Sequence, residues 1–399
     1  MKYTIRCLVG LALLGLFLQP CAAQDVPQGG RSTAFSETQR SGRSPTWLRP
    51  QQLGKPASTS DPLKDDANLW TVGVAGGLLE GTFIRYVADL AKVLDDGKNL
   101  RVIPMVTYGA VGNVTDLLNL RGVDVAITQA DVLDHFRREV KIPDIENKIQ
   151  YISPLFLAEV HIYGREEFKT LKDLAGRKVA FNTPGSAANL TGQVVFQRLG
   201  VQVEPVFMNN AIALEKMRSG EVSAVVHVVG KPNDLFARFK PQPGFHFIPV
   251  EYGPQFEDYY VPAALEAADY PNLIRTGETV STIAVPAVLA VFNWPKTSDR
   301  YRRVSRFVEA YFTKFDQLQQ PPFQPKWREI NLAGKVPGWT RYRVAEELLA
   351  KMTADPQVKV HFDAFLDTRA GARGHGTLPN SEREALFKQF LEWQKGADW

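Results

Sequence analysis

Between Trp70 and Asp131 the chain repeats one short grammar three times: an apolar run, a turn of small polar residues, then a helix-forming stretch. Trp70–Ala75 opens into Gly76-Gly-Leu-Leu-Glu-Gly-Thr82. Leu100–Val106 opens into Thr107-Tyr-Gly-Ala-Val-Gly-Asn113, and Val123–Ile127 opens into Thr128-Gln-Ala-Asp131. Strands alternating with helices predict an α/β fold around a mostly parallel sheet. The turns at the strand C-termini then lie along one sheet edge, where helix N-termini present free N–H groups and the positive ends of their dipoles. Such an edge suits an anion or a polar small molecule. The three turns are therefore expected to form half of a ligand cleft.

The pattern starts again downstream. Pro154–Arg165 reads as a strand, and Thr170–Phe181 as a short helix followed by a strand. That strand opens into Asn182-Thr-Pro-Gly-Ser-Ala-Ala-Asn189, followed by a helix to Leu199. A strand at Val203–Phe207, a helix at Ala211–Arg218 and a strand at Ala224–Val229 follow, the last opening into Gly230-Lys-Pro-Asn233. Thr282–Phe292 is the longest apolar run after the leader. Pro286 in its middle argues against one central strand. The remainder reads as helical, at Ser298–Phe315, Thr340–Met352 and a last helix opened by the capping box Ser381/Glu384. At 399 residues and 44% hydrophobic content, the chain has material for two lobes. The expected division is lobe 1 over 68–165, lobe 2 over 166–285, and a return to lobe 1 with C-terminal helices over 286–399.

Residues 1–23 read as a secretory signal peptide. Lys2 and Arg6 supply its charge, Leu8–Leu18 its apolar stretch, and Cys21-Ala22-Ala23 its small-residue cleavage site. Lipidation at Cys21 is a poorer fit, because Leu18-Gln19-Pro20 lacks the small residue expected before such a cysteine. Both cysteines fall in this leader, so cleavage leaves no disulfide, thiol nucleophile or thiolate metal site. Residues 24–67, rich in Gly, Ser, Pro, Gln and Arg, read as a flexible linker. The expected location is the periplasm. The net charge of +4 comes from scattered Lys and Arg without a clustered basic stripe, which argues against nucleic acid as a partner.

Catalytic and metal signals are weak. The six histidines have no ligand spacing, HExxH is absent, and Pro184-Gly-Ser186-Ala-Ala lacks the second glycine of a nucleophile elbow. No catalytic residue, metal or cofactor is expected. The candidate ligand contacts are Gly76, Gly77, Thr82 and Phe83 in the first turn, and Thr107, Tyr108, Gly109 and Asn113 in the second. Gln129 and Asp131 follow the third strand; Pro184, Gly185, Ser186 and Asn189 lie in the fourth turn, and Gly230 with Lys231 in the last. Asp131 reads more readily as a helix N-cap than as a ligand contact, and Lys231 more readily as an exposed loop lysine.

Taken in order, these motifs resemble the TAXI family, the TRAP-transporter-associated extracytoplasmic solute-binding proteins. The likeness runs from about Leu69 to Phe292. It is carried by Gly76-Gly77 with Gly81-Thr82-Phe83, by Thr107–Asn113 with Asp116-Leu117-Leu118, and by Gly122–Asp131. Further matches are Leu171–Gly176, Pro184-Gly-Ser186, Val229-Gly-Lys-Pro-Asn233, Tyr259–Ala264, Tyr270-Pro271 and Thr282–Val285. The resemblance implies a two-lobed, type II periplasmic-binding-protein fold that closes on a dicarboxylate, 2-oxoacid or amino acid and presents it to TRAP permease subunits. Two departures remove polar groups: Ala187-Ala188 replace a usual Gly-Thr, and Phe83 replaces a usual Tyr.

Overall fold

The computed structural model describes residues 69–240 and 243–354. The leader, the linker and the helix expected at Ser381 lie outside them. Ten strands form one mixed sheet in the order β2-β1-β3-β10-β4-β7-β5-β6, with β8 pairing β4 and β9 pairing β10. In chain order these are β1 (Thr71–Gly77), β2 (Arg101–Val106), β3 (Val125–Gln129), β4 (Ile149–Arg165), β5 (Lys178–Ala180), β6 (Glu204–Val206), β7 (Ala224–Val229), β8 (Phe245–Phe247), β9 (Val261–Glu266) and β10 (Thr279–Phe292). The helices are α1 (Thr82–Leu94), α2 (Ala110–Asn119), α3 (Val132–Arg138), α4 (Ile145–Lys148), α5 (Ala187–Arg198), α6 (Asn210–Arg218), α7 (Asp234–Ala237), α8 (Asp299–Thr313), α9 (Phe315–Leu318) and α10 (Arg343–Ala354).

Each half of the sheet has the βα grammar of the sequence. In the first half β1 pairs in parallel with β2 and β3, and in the second β5 pairs in parallel with β6 and β7. The sheet is nevertheless mixed, not mostly parallel. The long strands β4 and β10 run antiparallel to each other and to their other neighbours, β10 against β3 and β9, β4 against β7 and β8. Along β4, residues 149–159 pair with β10, while 159–164 pair with β7. The two strands thus carry the chain from one half to the other and back, giving a two-lobed α/β protein.

Pro286 does not divide β10. The strand is continuous over 14 residues, and its register on β4 shifts between Pro286 and Val288. The missing N–H falls at that irregularity, and the Pro286 carbonyl still accepts from the Ala130 N–H at 3.0 Å.

The apolar stripe of α1 buries Phe83, Tyr86, Val87, Leu90 and Leu94 against the sheet. Tyr86 stacks at 4.5 Å on the fully buried Trp327, whose indole N–H donates to Asp89 at 3.0 Å. A separate aromatic core around Tyr163, Phe236, Phe247 and Tyr270 packs the second half. No described helix is long and apolar enough to cross a membrane.

Candidate functional site

Gly81 is the N-cap of α1 and Gly109 that of α2, and neither supplies a side-chain cap. Ser186 caps α5 as a hydroxyl, accepting from the Asn189 N–H at 3.2 Å. The Asp131 side chain does not cap α3.

The N-termini of α1 and α5, one from each half, meet across a narrow cleft. Its walls are Gly77–Leu78 and Glu80–Phe83, then Tyr108–Ala110, Asn182, Ser186–Ala188 and His227–Val229. The enclosed space is about 40 Å³, room for about three waters. Leu79 and Tyr108, 71% and 68% exposed, stand at the surface beside it.

Of the predicted contacts, Gly77, Thr82, Phe83, Tyr108, Gly109 and Ser186 line this cleft. The others lie elsewhere. Asn113 is fully buried, donating to the carbonyls of Gly76 and Ile127 and accepting from the Thr107 hydroxyl. The expectation that the α2 N-terminus is open to an anion is corrected: the N–H groups of Val111 and Gly112 both donate to the Gly185 carbonyl, at 3.0 and 3.1 Å. Gly185 adopts φ +85°, and a Cβ there would sit 3.3 Å from Tyr108 Cβ, so a glycine permits this close crossing. Gly230 accepts a long 3.5 Å bond from the Thr82 hydroxyl. The Lys231 ammonium pairs with Asp269 at 2.8 Å instead of facing the cleft. Gly76, Pro184 and Asn189 are likewise not among the lining residues.

Gln129 and Asp131 join the halves. Asp131 accepts from the hydroxyls of Thr191 on α5 (2.7 Å) and Tyr260 (2.9 Å), and the side-chain amide oxygen of Gln129 accepts from the same Thr191 at 3.2 Å. Arg198 lies over the Tyr260 ring at 5.2 Å and pairs with Asp258 at 2.6 Å. Burial pushes the Asp131 carboxyl above the usual range, outweighing its two hydroxyl donors. Removing one donor raises it further, so the cost falls on the ionised form. Tyr260→Phe is therefore expected to lose about 1–3 kcal/mol of stability at high pH and less as acid protonates Asp131. Guanidinium unfolding across a pH series measures the difference. A loss independent of pH would show that Asp131 is not the group affected.

Further contacts hold the halves together at the cleft's other side. Arg85 pairs with Asp234 at 2.5 Å, and Glu80 accepts from the side-chain amides of Asn209 (2.6 Å) and Asn233 (3.1 Å).

Of the polar lining residues, Glu80, Asn182 and His227 are not among the predicted contacts, and His227 stands apart. It is 4% exposed on β7, and neither ring nitrogen has a hydrogen-bond partner. Its environment in the sequence, Val-Val-His-Val-Val, carries the signal: an imidazole in an apolar strand with no polar neighbour to satisfy it. No group of three or more His, Cys, Asp or Glu suited to a metal ion occurs among the described residues.

Among solved structures, the chain is similar to the periplasmic binding protein BugD (14% identity, 82% of this chain and 96% of that one, TM-score 0.44). It is also similar to the aliphatic sulphonate binding protein SsuA from Escherichia coli (17%, 62% and 72%, TM-score 0.35). A third is an amino acid ABC transporter substrate-binding protein from Streptococcus pneumoniae, bound to L-arginine (13%, 67% and 98%, TM-score 0.36). Compared with protein families, residues 75–333 match the NMT1-like family, a span that holds every residue lining the cleft. It covers more than half of the sequence, and the chain belongs to the NMT1-like family.

Proposed function

We propose that this chain is an exported solute-binding protein that captures a small carboxylate-bearing solute between its halves and delivers it to a membrane transporter. One observation carries the reading: two helix N-termini from opposite halves converge on a cleft that also holds an unpartnered buried imidazole. The α1 terminus has no side-chain cap, so its first N–H groups and dipole favour a carboxylate. Ser186 supports binding over catalysis, because its hydroxyl is committed to capping α5. The ordered motifs shared with the TAXI proteins favour TRAP permease subunits as the partner. With so little free space, a larger solute enters by parting the halves, a hinge motion in β4 near Glu159, where its pairing passes from β10 to β7, and in β10 near Val285.

A thermal-shift screen of carboxylates, 2-oxoacids and amino acids tests this. A ligand of about 1 µM Kd at about 1 mM adds about 4 kcal/mol of apparent stability. The expected result is a hit recovered unchanged, with a small-angle scattering profile that contracts on titration. A screen without any anionic hit overturns the carboxylate reading; turnover of the hit overturns the binding-protein reading; an unchanged profile with demonstrated binding overturns the hinge.

A further inference from the structure

We propose that His227 reads a hydroxyl group on the solute, so that the cleft selects a small hydroxy-monocarboxylate over its plain or doubly charged counterparts. This rests on the cleft reading above and adds to it a specificity residue and a chemical class.

Two imidazoles face each other across the β4–β7 ladder, His161 opposite His227. His161 is fully committed. Its Nδ1 donates to the Glu159 carbonyl at 2.9 Å, and its Nε2 accepts from the Tyr270 hydroxyl at 2.7 Å. That tyrosine oxygen in turn accepts from the Asn233 N–H at 3.0 Å. His227 is equally buried, packs at 6.2 Å from the Phe236 ring and is committed to nothing. An unsatisfied buried polar group is costly, and a bound solute that supplies its partner recovers that cost as affinity.

Burial holds the His227 ring neutral, its pKa pushed down to about 4. A neutral imidazole has one donor and one acceptor nitrogen. A hydroxyl both donates and accepts, so it satisfies whichever nitrogen it reaches. A second carboxylate needs a cation, and no Lys or Arg lines the cleft; Glu80, which does, opposes it. The helix N-termini thus take one carboxylate and His227 one hydroxyl.

The probes are lactate and propionate, equal in chain length and differing by the hydroxyl, with malonate as the dianion, titrated calorimetrically into the full mature chain. The expected result is about a 10-fold preference for lactate over propionate and weaker binding of malonate. His227→Phe is expected to erase the lactate preference over propionate. His227→Gln, which keeps a donor and an acceptor, retains part of it and serves where Phe perturbs folding. Equal binding of lactate and propionate by the unmodified protein, or a preference that survives both substitutions, overturns the His227 assignment and leaves the carboxylate site standing. Failure of every carboxylate overturns the cleft reading and this assignment with it.

Discussion

Lys326→Met is expected to lower the unfolding free energy by about 3–5 kcal/mol. The Lys326 ammonium lies 2.6 Å from Glu159, and the two side chains are 12% and 4% exposed. It also donates to the Leu157 carbonyl at 3.1 Å, while the second Glu159 oxygen accepts from the Lys231 N–H at 2.8 Å. Burial already holds the Glu159 carboxyl above its usual range despite the ammonium beside it. Without Lys326, one backbone N–H is left to stabilise a buried charge. The loss is therefore larger at high pH, where Glu159 is ionised, and shrinks as acid protonates it. The double variant Lys326→Met/Glu159→Leu removes both charges and is expected to recover much of the loss. Denaturant unfolding of the two single variants and the double variant closes the cycle. Additive losses would show that the two groups do not interact.

Acidification from about pH 7 to about pH 4.5 is expected to destabilise the protein substantially through its two buried imidazoles. Burial lowers His161 to about 3 and His227 to about 4, and the His227 ring further disfavours charge on His161. Unfolded imidazoles titrate near pH 6.5. Below that value the unfolded chain binds more protons than the folded one, so stability falls with pH; above it the contribution is complete. At 1.36 kcal/mol per unit, His227 alone accounts for about 3 kcal/mol. The pair titrates jointly, so the two contributions do not simply add. Asp131 and Glu159, whose carboxyls are raised, act in the opposite sense and soften the fall. His227→Phe isolates the effect. Relative to the unmodified protein it is expected to gain about 2–3 kcal/mol over the same pH drop, read from unfolding curves at each pH. Parallel pH profiles would show that His227 does not titrate on unfolding.

The local grammar of the fold is legible in the sequence. Ala224–Val229 coincides with β7, and the helix expected at Ala211–Arg218 falls within one residue of α6. Strand direction is not legible in the same way, because a run such as Thr282–Phe292 looks alike whichever way its neighbours run. Pro286 misleads for a related reason: its missing donor is harmless at a register shift, which exists only in the paired sheet. The site is readable as a set of turns but not as individual contacts. Thr107 and Asn113 have the chemistry to hold a solute, yet their side chains satisfy backbone and side-chain groups of the protein itself. Polar residues at strand ends look the same whether they serve the fold or a ligand. His227 escapes the opposite way, since its significance lies in what it fails to touch.

The pairing of β10 bears on how the protein is made. Val125–Gln129 is buried throughout, and its partners on β10 are Ala287–Val291, some 160 residues later. A chain emerging from the ribosome N-terminus first has both β3 and β4 in hand long before the strand that belongs between them. Until Phe292 is out, each presents an open, apolar hydrogen-bonding edge of the kind that recruits other chains. Nascent chains halted before Thr279 are therefore the species most exposed to aggregation and to chaperone capture.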